Sequence, residues 1–142
     1  MVRINLINPE SLADQHLIAE YNEILMLMAF IRKHQIRKEK LPEEYRLGQG
    51  HMLFFKNKVR YLKNRHERIR KEMKKRGFHT GKTIKIRGIN KKLVNGWRPK
   101  KKDKQIIKKR LIEKINLKPD FYRYYKKKKP KSFFIKKIKK AD

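Results

Sequence analysis

Apolar residues recur along this chain at helical spacing. Leu12, Leu17, Tyr21, Ile24 and Met28 form one broad stripe, and His16, Glu20 and Glu23 fall beside it at i, i+4 and i+7 on a polar face. Asn8-Pro9-Glu10 precedes the stripe: a residue able to cap, proline at the first helical position and an acid in the first turn. The pattern predicts a first helix over residues 9–34. A second seam, Met52, Phe55, Val59, Leu62, His66, Ile69 and Met73, advances in three- and four-residue steps and ends where Gly77 can serve as the C-terminal cap. A third helix is predicted over 103–117, with Ile107, Leu111 and Ile115 inward, Arg110 and Lys114 together on a neighbouring face, and Pro119 beyond its end.

Between these helices, residues 35–50 and 78–100 read as irregular connectors, with 83–87 the one candidate for an extended piece. The expectation is an all-α fold: one compact domain of three principal helices over residues 1–125, then a lysine-rich tail over 126–142. The tail carries nine lysines. It is expected to be mobile on its own, with Phe133, Phe134 and Ile135 the residues able to fold back onto the body.

Charge changes this picture. The chain holds 43 Lys+Arg against 13 Asp+Glu, a net charge of +30. An excess so one-sided points to a polyanionic partner, because each neutralised phosphate releases condensed counterions. The excess is also uneven: residues 1–34 carry three basic and four acidic side chains, so the rest of the chain carries +31. A near-neutral, acid-containing segment before a strongly basic body suits an enzyme with a separate grip better than a packaging protein. Cysteine is absent, which excludes disulfides, a thiolate nucleophile and a Cys-ligated metal. With no signal peptide and no long apolar run, an intracellular, nucleic-acid-associated protein with no membrane partner is expected.

Most local motifs resolve to ordinary structure. Gly77-x3-Gly81-Lys82-Thr83 imitates a phosphate-binding loop but is one residue short and follows a helix, not a strand. Gly48-x-Gly50 lacks a third glycine and reads as a close turn into the second helix. The five histidines make no metal spacing with nearby carboxylates, so no metal site is expected. His66, inside an apolar seam, reads as a packed, hydrogen-bonded histidine. Tyr122, Tyr124 and Tyr125 interleave with Arg123 and Lys126, which suits stacking on bases beside phosphate contacts and equally suits an aromatic plug on the core.

The segment R-I-N-L (3–6) followed by L-A-D-Q-H-L-x-A-E-Y-x-E (12–23) resembles the start of the pyrimidine-dimer DNA glycosylase/AP lyase family. The resemblance continues in register through Arg32-Lys33-His34, Gly48-Gln49-Gly50-His51, Phe54-Phe55 and Lys74-Lys75-Arg76-Gly77-Phe78, then at Arg110, Lys114 and Phe121-Tyr122-Arg123-Tyr124-Tyr125. It implies damaged double-stranded DNA as partner, a monomer, and no cofactor. It also implies that removal of Met1 exposes the α-amine of Val2 as nucleophile, with Glu23 as the catalytic carboxylate. Arg3, Gln15, His16, Arg110 and Lys114 would line the DNA face, and Phe121, Tyr122, Arg123, Tyr124 and Tyr125 would lie against the backbone or lesion.

The chemistry the resemblance implies is coherent with the residues. An α-amine has a pKa near about 8, against about 10.4 for lysine, so a neutral fraction exists at neutral pH without deep burial. Cyclobutane pyrimidine dimers are the expected substrate. The alternatives are the same chemistry on another damaged base or on abasic sites alone, and a noncatalytic nucleic-acid-binding protein. Three departures from the family pattern stand out. Asn22 and Met26 occupy positions where the family has arginines, Phe121 stands where tryptophan is usual, and the lysine tail is additional.

Overall fold

The computed structural model describes residues 3–35 and 40–142. It is mostly helical: α1 spans Asp14–Lys33, α2 His51–Phe55, α3 Val59–Lys75, α4 Lys101–Leu117 and α5 Lys131–Lys140. Single 3-10 turns form at Pro9–Ser11 and Lys91–Leu93, and a two-stranded hairpin pairs β1 (Arg123–Tyr124) with β2 (Lys127–Lys128). One core runs through the molecule. α1 packs on α3 through Leu17, Tyr21, Ile24, Leu62, Ile69 and their neighbours, and α5 packs on α4.

Two of the expected helices are interrupted, and side chains explain both breaks. The chain makes one 3-10 turn at Pro9–Ser11, extends through Leu12 and Ala13, and only then enters α1. Carbonyls that a continuous helix would bond internally are taken instead by the buried Arg76 guanidinium, which donates to Leu12 O at 2.8 Å and Pro9 O at 3.2 Å. Asn8 does not cap; its Oδ1 accepts from Arg68. The second expected helix divides into α2 and α3 because the Lys58 ammonium donates to Phe54 O at 2.8 Å, the carbonyl that the Lys58 amide would otherwise use. The C-terminal end of α3 is as expected. Gly77 has φ +84, and the Gly77 and Phe78 amides donate to Lys74 O at 3.1 Å and Met73 O at 2.9 Å, closing the helix end.

The segment 83–87 forms no strand. Side chains satisfy its backbone: Arg32 donates to Lys85 O and Arg87 O, and the Tyr21 hydroxyl bonds the amide and carbonyl of Lys82. α4 begins two residues before the expected start because the Asp103 carboxylate accepts the Lys100 amide at 2.8 Å.

The lysine-rich end forms α5 and folds back onto the body, with Phe134 buried and Phe133 and Ile135 packed against the core. Phe134 and Ile138, one turn apart, are 1% exposed and give the lysine run a core-facing stripe. The hairpin ahead of it turns through Tyr125 and Lys126, both at positive φ (51° and 68°) although neither is glycine. The Asp14 carboxylate offsets that strain by accepting both amides, at 3.1 and 2.7 Å. Asp14 is itself held by Arg76, which also pairs with Glu72. One buried ionic hub therefore ties the start of α1, the end of α3 and the hairpin.

Candidate active site

Residues 3–7 carry the front of the site without any regular secondary structure, so their backbone groups must find partners elsewhere. The Arg3 amide donates to Glu23 Oε2 at 2.9 Å. The Ile4 amide donates to His51 Nε2 at 2.9 Å, and the Ile4 carbonyl accepts from the Tyr45 hydroxyl at 3.0 Å. Leu6 sits at φ +60 with Ile7 N bonded to Asn5 O at 2.6 Å, a strained γ-turn. The Ile7 carbonyl accepts from Arg65 at 2.6 Å, and Arg65 grips Glu20 with two bonds of 2.7 and 3.0 Å, both side chains buried.

Glu23 projects from the middle of α1, half-buried, between exposed Asn22 and Met26. Burial pushes its carboxyl above the usual range; the Arg3 amide bond and guanidinium pull the other way, and Glu20 adds to the rise. Val2 lies outside the described residues. The Glu23 carboxylate nonetheless holds the backbone nitrogen next after that of residue 2.

One turn before Glu20 on α1, His16 lies against Tyr122, with ring centroids 4.7 Å apart. Its pKa is lowered to about 4 by burial, then by Arg3 and Lys114, so it is neutral at pH 7. Two polar atoms here are buried with no hydrogen-bond partner among the described residues: Arg3 Nη1 and His16 Nδ1. Such atoms are rare in folded proteins, and these two leave bonding capacity at the site; a third, His66 Nδ1, lies in the core. Gln15 has a different task. Its amide donates to Phe121 O at 2.8 Å and accepts from the Arg123 amide at 3.0 Å, fixing the segment that carries Tyr122.

The aromatic block divides between the two readings the sequence left open. Phe121 is 51% exposed, edge-on to buried Tyr122 at 5.2 Å, and both flank the His16 side. Tyr124 and Tyr125 instead pack over the ionic hub: Tyr124 lies 4.4 Å from the Arg76 guanidinium, and the Tyr125 hydroxyl bonds Glu72 at 3.3 Å. Arg123 is exposed. Arg110 pairs with Glu113 on the surface of α4 at 3.2 Å. The structure thus gathers His16, Lys114 and Tyr122 beside Glu23's partner Arg3, and leaves Arg110, Tyr124 and Tyr125 in other contacts. Sequence reasoning missed His51, Tyr45, Glu20 and Arg65 as the residues that hold the N-terminal segment. The signal was the His51 of Gly48-Gln49-Gly50-His51, which pattern alone cannot distinguish from a turn.

No group of three or more His, Asp or Glu that could hold a metal occurs among the described residues. No helix among them is long and apolar enough to cross a membrane. A sequence profile of the family described as pyrimidine dimer DNA glycosylase matches residues 1–86. The match takes in Arg3, Glu23, Tyr45 and His51 and stops before α4 and the aromatic block. It covers more than half of the chain and the whole N-terminal frame just described, so this protein belongs to the pyrimidine dimer DNA glycosylase family.

Proposed function

We propose that this protein is a DNA repair glycosylase with AP lyase activity that acts on cyclobutane pyrimidine dimers in duplex DNA through an imine formed by the Val2 amine. The observation that carries the reading is the Glu23 carboxylate: half-buried, raised in pKa, and bonded to the Arg3 amide next to residue 2. A carboxyl group with a raised pKa keeps its proton to a higher pH than a free one, which suits a group that must give and take protons.

The chemistry runs in two stages. The neutral Val2 amine attacks C1′ of the extruded nucleotide as the C1′–base bond breaks; the base leaves with the bonding pair and takes up a proton. The amine loses a proton, the sugar ring opens as its oxygen gains one, and C1′ becomes a protonated imine. Removal of a C2′ proton then expels the 3′ phosphate by β-elimination, and water releases the amine. In this reading Glu23 exchanges these protons and stabilises the cationic sugar and imine. Arg3 and His16, with their unpartnered nitrogens, and Lys114 beside them supply bonding for a phosphate. Extruding a nucleotide costs about a few kcal/mol, and less at a damaged pair, which favours lesions.

Asn22 and Met26 favour a second reading of specificity. Both are exposed beside Glu23 and neither carries a charge, so the rim of the site offers few cations to a dimer's flanking phosphates. The same chemistry on abasic sites or another damaged base needs only the amine and Glu23. Borohydride trapping on three duplexes separates the readings: one with a thymine dimer, one with an abasic site, one undamaged. Crosslinks to both damaged duplexes, lost when Val2 is blocked, are the expected outcome. Trapping on the abasic duplex alone would remove the dimer assignment. Tight binding to all three with no crosslink would mean a noncatalytic nucleic-acid-binding protein.

A further inference from the structure

We propose that His51 and Tyr45 are positioning residues for the N-terminal nucleophile, clamping the two backbone groups of Ile4 so that the chain end is held in register with Glu23. The inference rests on the imine chemistry proposed above and assigns it a part of the molecule that has no other evident use.

The geometry is specific. His51 and Tyr45 are 2% and 4% exposed. His51 Nδ1 lies 2.7 Å from Arg46 O, so Nδ1 must carry the proton and Nε2 must be the bare acceptor that meets the Ile4 amide. Burial holds His51 below its ordinary pKa, which keeps it in that neutral form. Tyr45 completes the clamp on the opposite side of the Ile4 peptide, and its ring packs edge-on to His51 at 5.4 Å and Phe55 at 6.0 Å.

An extended chain end would ordinarily fray, because it has no strand or helix to satisfy its amides. Here the donor and acceptor of one residue are each given a buried side-chain partner. Two residues on, the strained turn at Leu6 is closed by the Arg65 bond to Ile7 O. Fixing Ile4 and Ile7 leaves Arg3 little freedom to slide past α1. The Arg3 amide then meets Glu23, one residue along the chain from the nucleophile assigned above. A displacement of about 1 Å at a reacting group can cost about 100-fold in rate.

The test separates position from stability by measuring three quantities on one set of proteins: the single-turnover rate of borohydride-trappable imine on saturating abasic duplex, affinity for a duplex with an uncleavable abasic analogue, and Tm. The set is the unsubstituted protein, Tyr45→Phe, His51→Leu and His51→Gln. Tyr45→Phe keeps the packed ring but removes one hydroxyl and leaves the buried Ile4 carbonyl without its donor, so a rate loss of about 5-fold is expected with affinity unchanged and Tm modestly lowered. His51→Leu is expected to lose about 100-fold in rate, and His51→Gln, whose amide oxygen can accept near the Nε2 position, to recover most of it. Unchanged rates in Tyr45→Phe overturn the proposal, including where His51→Leu does not fold. Equal losses in His51→Gln and His51→Leu, or losses that follow affinity or vanish at temperatures equally far below each Tm, overturn it as well. An unsubstituted protein that binds but yields no imine would instead remove the amine chemistry, and this inference with it.

Discussion

The two ends of this chain solve opposite problems. Residues 3–7 are apolar apart from Arg3 and Asn5, lack regular structure, and are held by polar side chains from α1, α2, α3 and the connector at Tyr45. Residues 123–140 are crowded with lysine, and form a hairpin and a helix held by apolar side chains and one carboxylate. At the first end, polar groups fix an apolar strand of chain; at the second, apolar groups fix a polar one. Chemistry at a single carbon needs the first arrangement, because a few directional bonds set position more tightly than packing does. Binding a duplex needs the second, because phosphate attraction depends on the number of cations and little on their exact geometry.

The sharpest break of this comparison is Glu23→Gln. The amide still accepts the Arg3 N–H, so the frame is retained while the proton exchange is lost. The imine-forming rate is expected to fall by about 100- to 10,000-fold, the range for loss of a general acid–base group. DNA affinity should stay near that of the parent protein. Stability should move the other way. Because burial raises the folded pKa of Glu23, its effect on stability is most favourable below the unfolded pKa and is lost as pH rises through the folded one. Glu23→Gln is therefore expected to raise Tm at pH 7 and to have no such effect at pH 3. A lower Tm at pH 7 would mean that Glu23 serves the fold.

The other end is tested by Phe134→Ala. Phe134 is 1% exposed and touches Tyr122 and Phe133 at 6.2 and 5.3 Å between ring centroids. Loss of its ring should cost about 3–5 kcal/mol in chemical denaturation. An effect below about 0.5 kcal/mol, the range for surface substitutions, would mean that α5 is only loosely attached.

What could be read from sequence follows the same division. Apolar periodicity located α1, α3 and α4, because packing on one face is what the period records. It ran past the breaks at residues 12–13 and 56–58, where Arg76 and Lys58 reach back to carbonyls, since periodicity carries no information on side-chain bonds to distant backbone. The lysine run concealed α5. Nine cations dominate the composition, although Phe134 and Ile138 alone supply a helical stripe. Of the candidate site residues, family resemblance drew attention to Glu23, Arg3 and His16. The Ile4 clamp was illegible because a bond from His51 to a backbone amide 47 residues away leaves no local trace.

Smaller effects sharpen the contrast. Lys136, Lys139 and Lys140 lie exposed on α5. Replacing all three with alanine should lower the salt dependence of duplex binding, with the slope of log affinity against log salt reduced by roughly 3. The imine rate at saturating DNA should remain within about 2-fold, since grip and chemistry are then separate. An unchanged salt slope, measured by fluorescence anisotropy between low and moderate salt, would show that α5 faces away from the duplex.

The finest test concerns His16, which stands where the two ends meet: on α1, against Tyr122, within the influence of Arg3 and Lys114. Its folded pKa of about 4 lies below the ordinary 6.5 of the unfolded chain. Between those values the unfolded state binds more protons, so stability falls as pH drops from about 6.5 towards 4. His51 and His66 are lowered by burial as well, and all three contribute to an acid-side loss. His16→Gln should flatten part of that loss while leaving Tm at pH 8 little changed. Bound duplex should act on the same group in the opposite direction, because a phosphate beside Nδ1 favours the imidazolium and raises its pKa. Duplex binding by the parent protein should therefore take up protons near pH 6 and tighten as pH falls, and His16→Gln should abolish the His16 share. Isothermal titration in two buffers of different ionisation enthalpy measures that uptake directly. Equal uptake in parent and variant would place the phosphate elsewhere and leave His16 as part of the wall behind Tyr122.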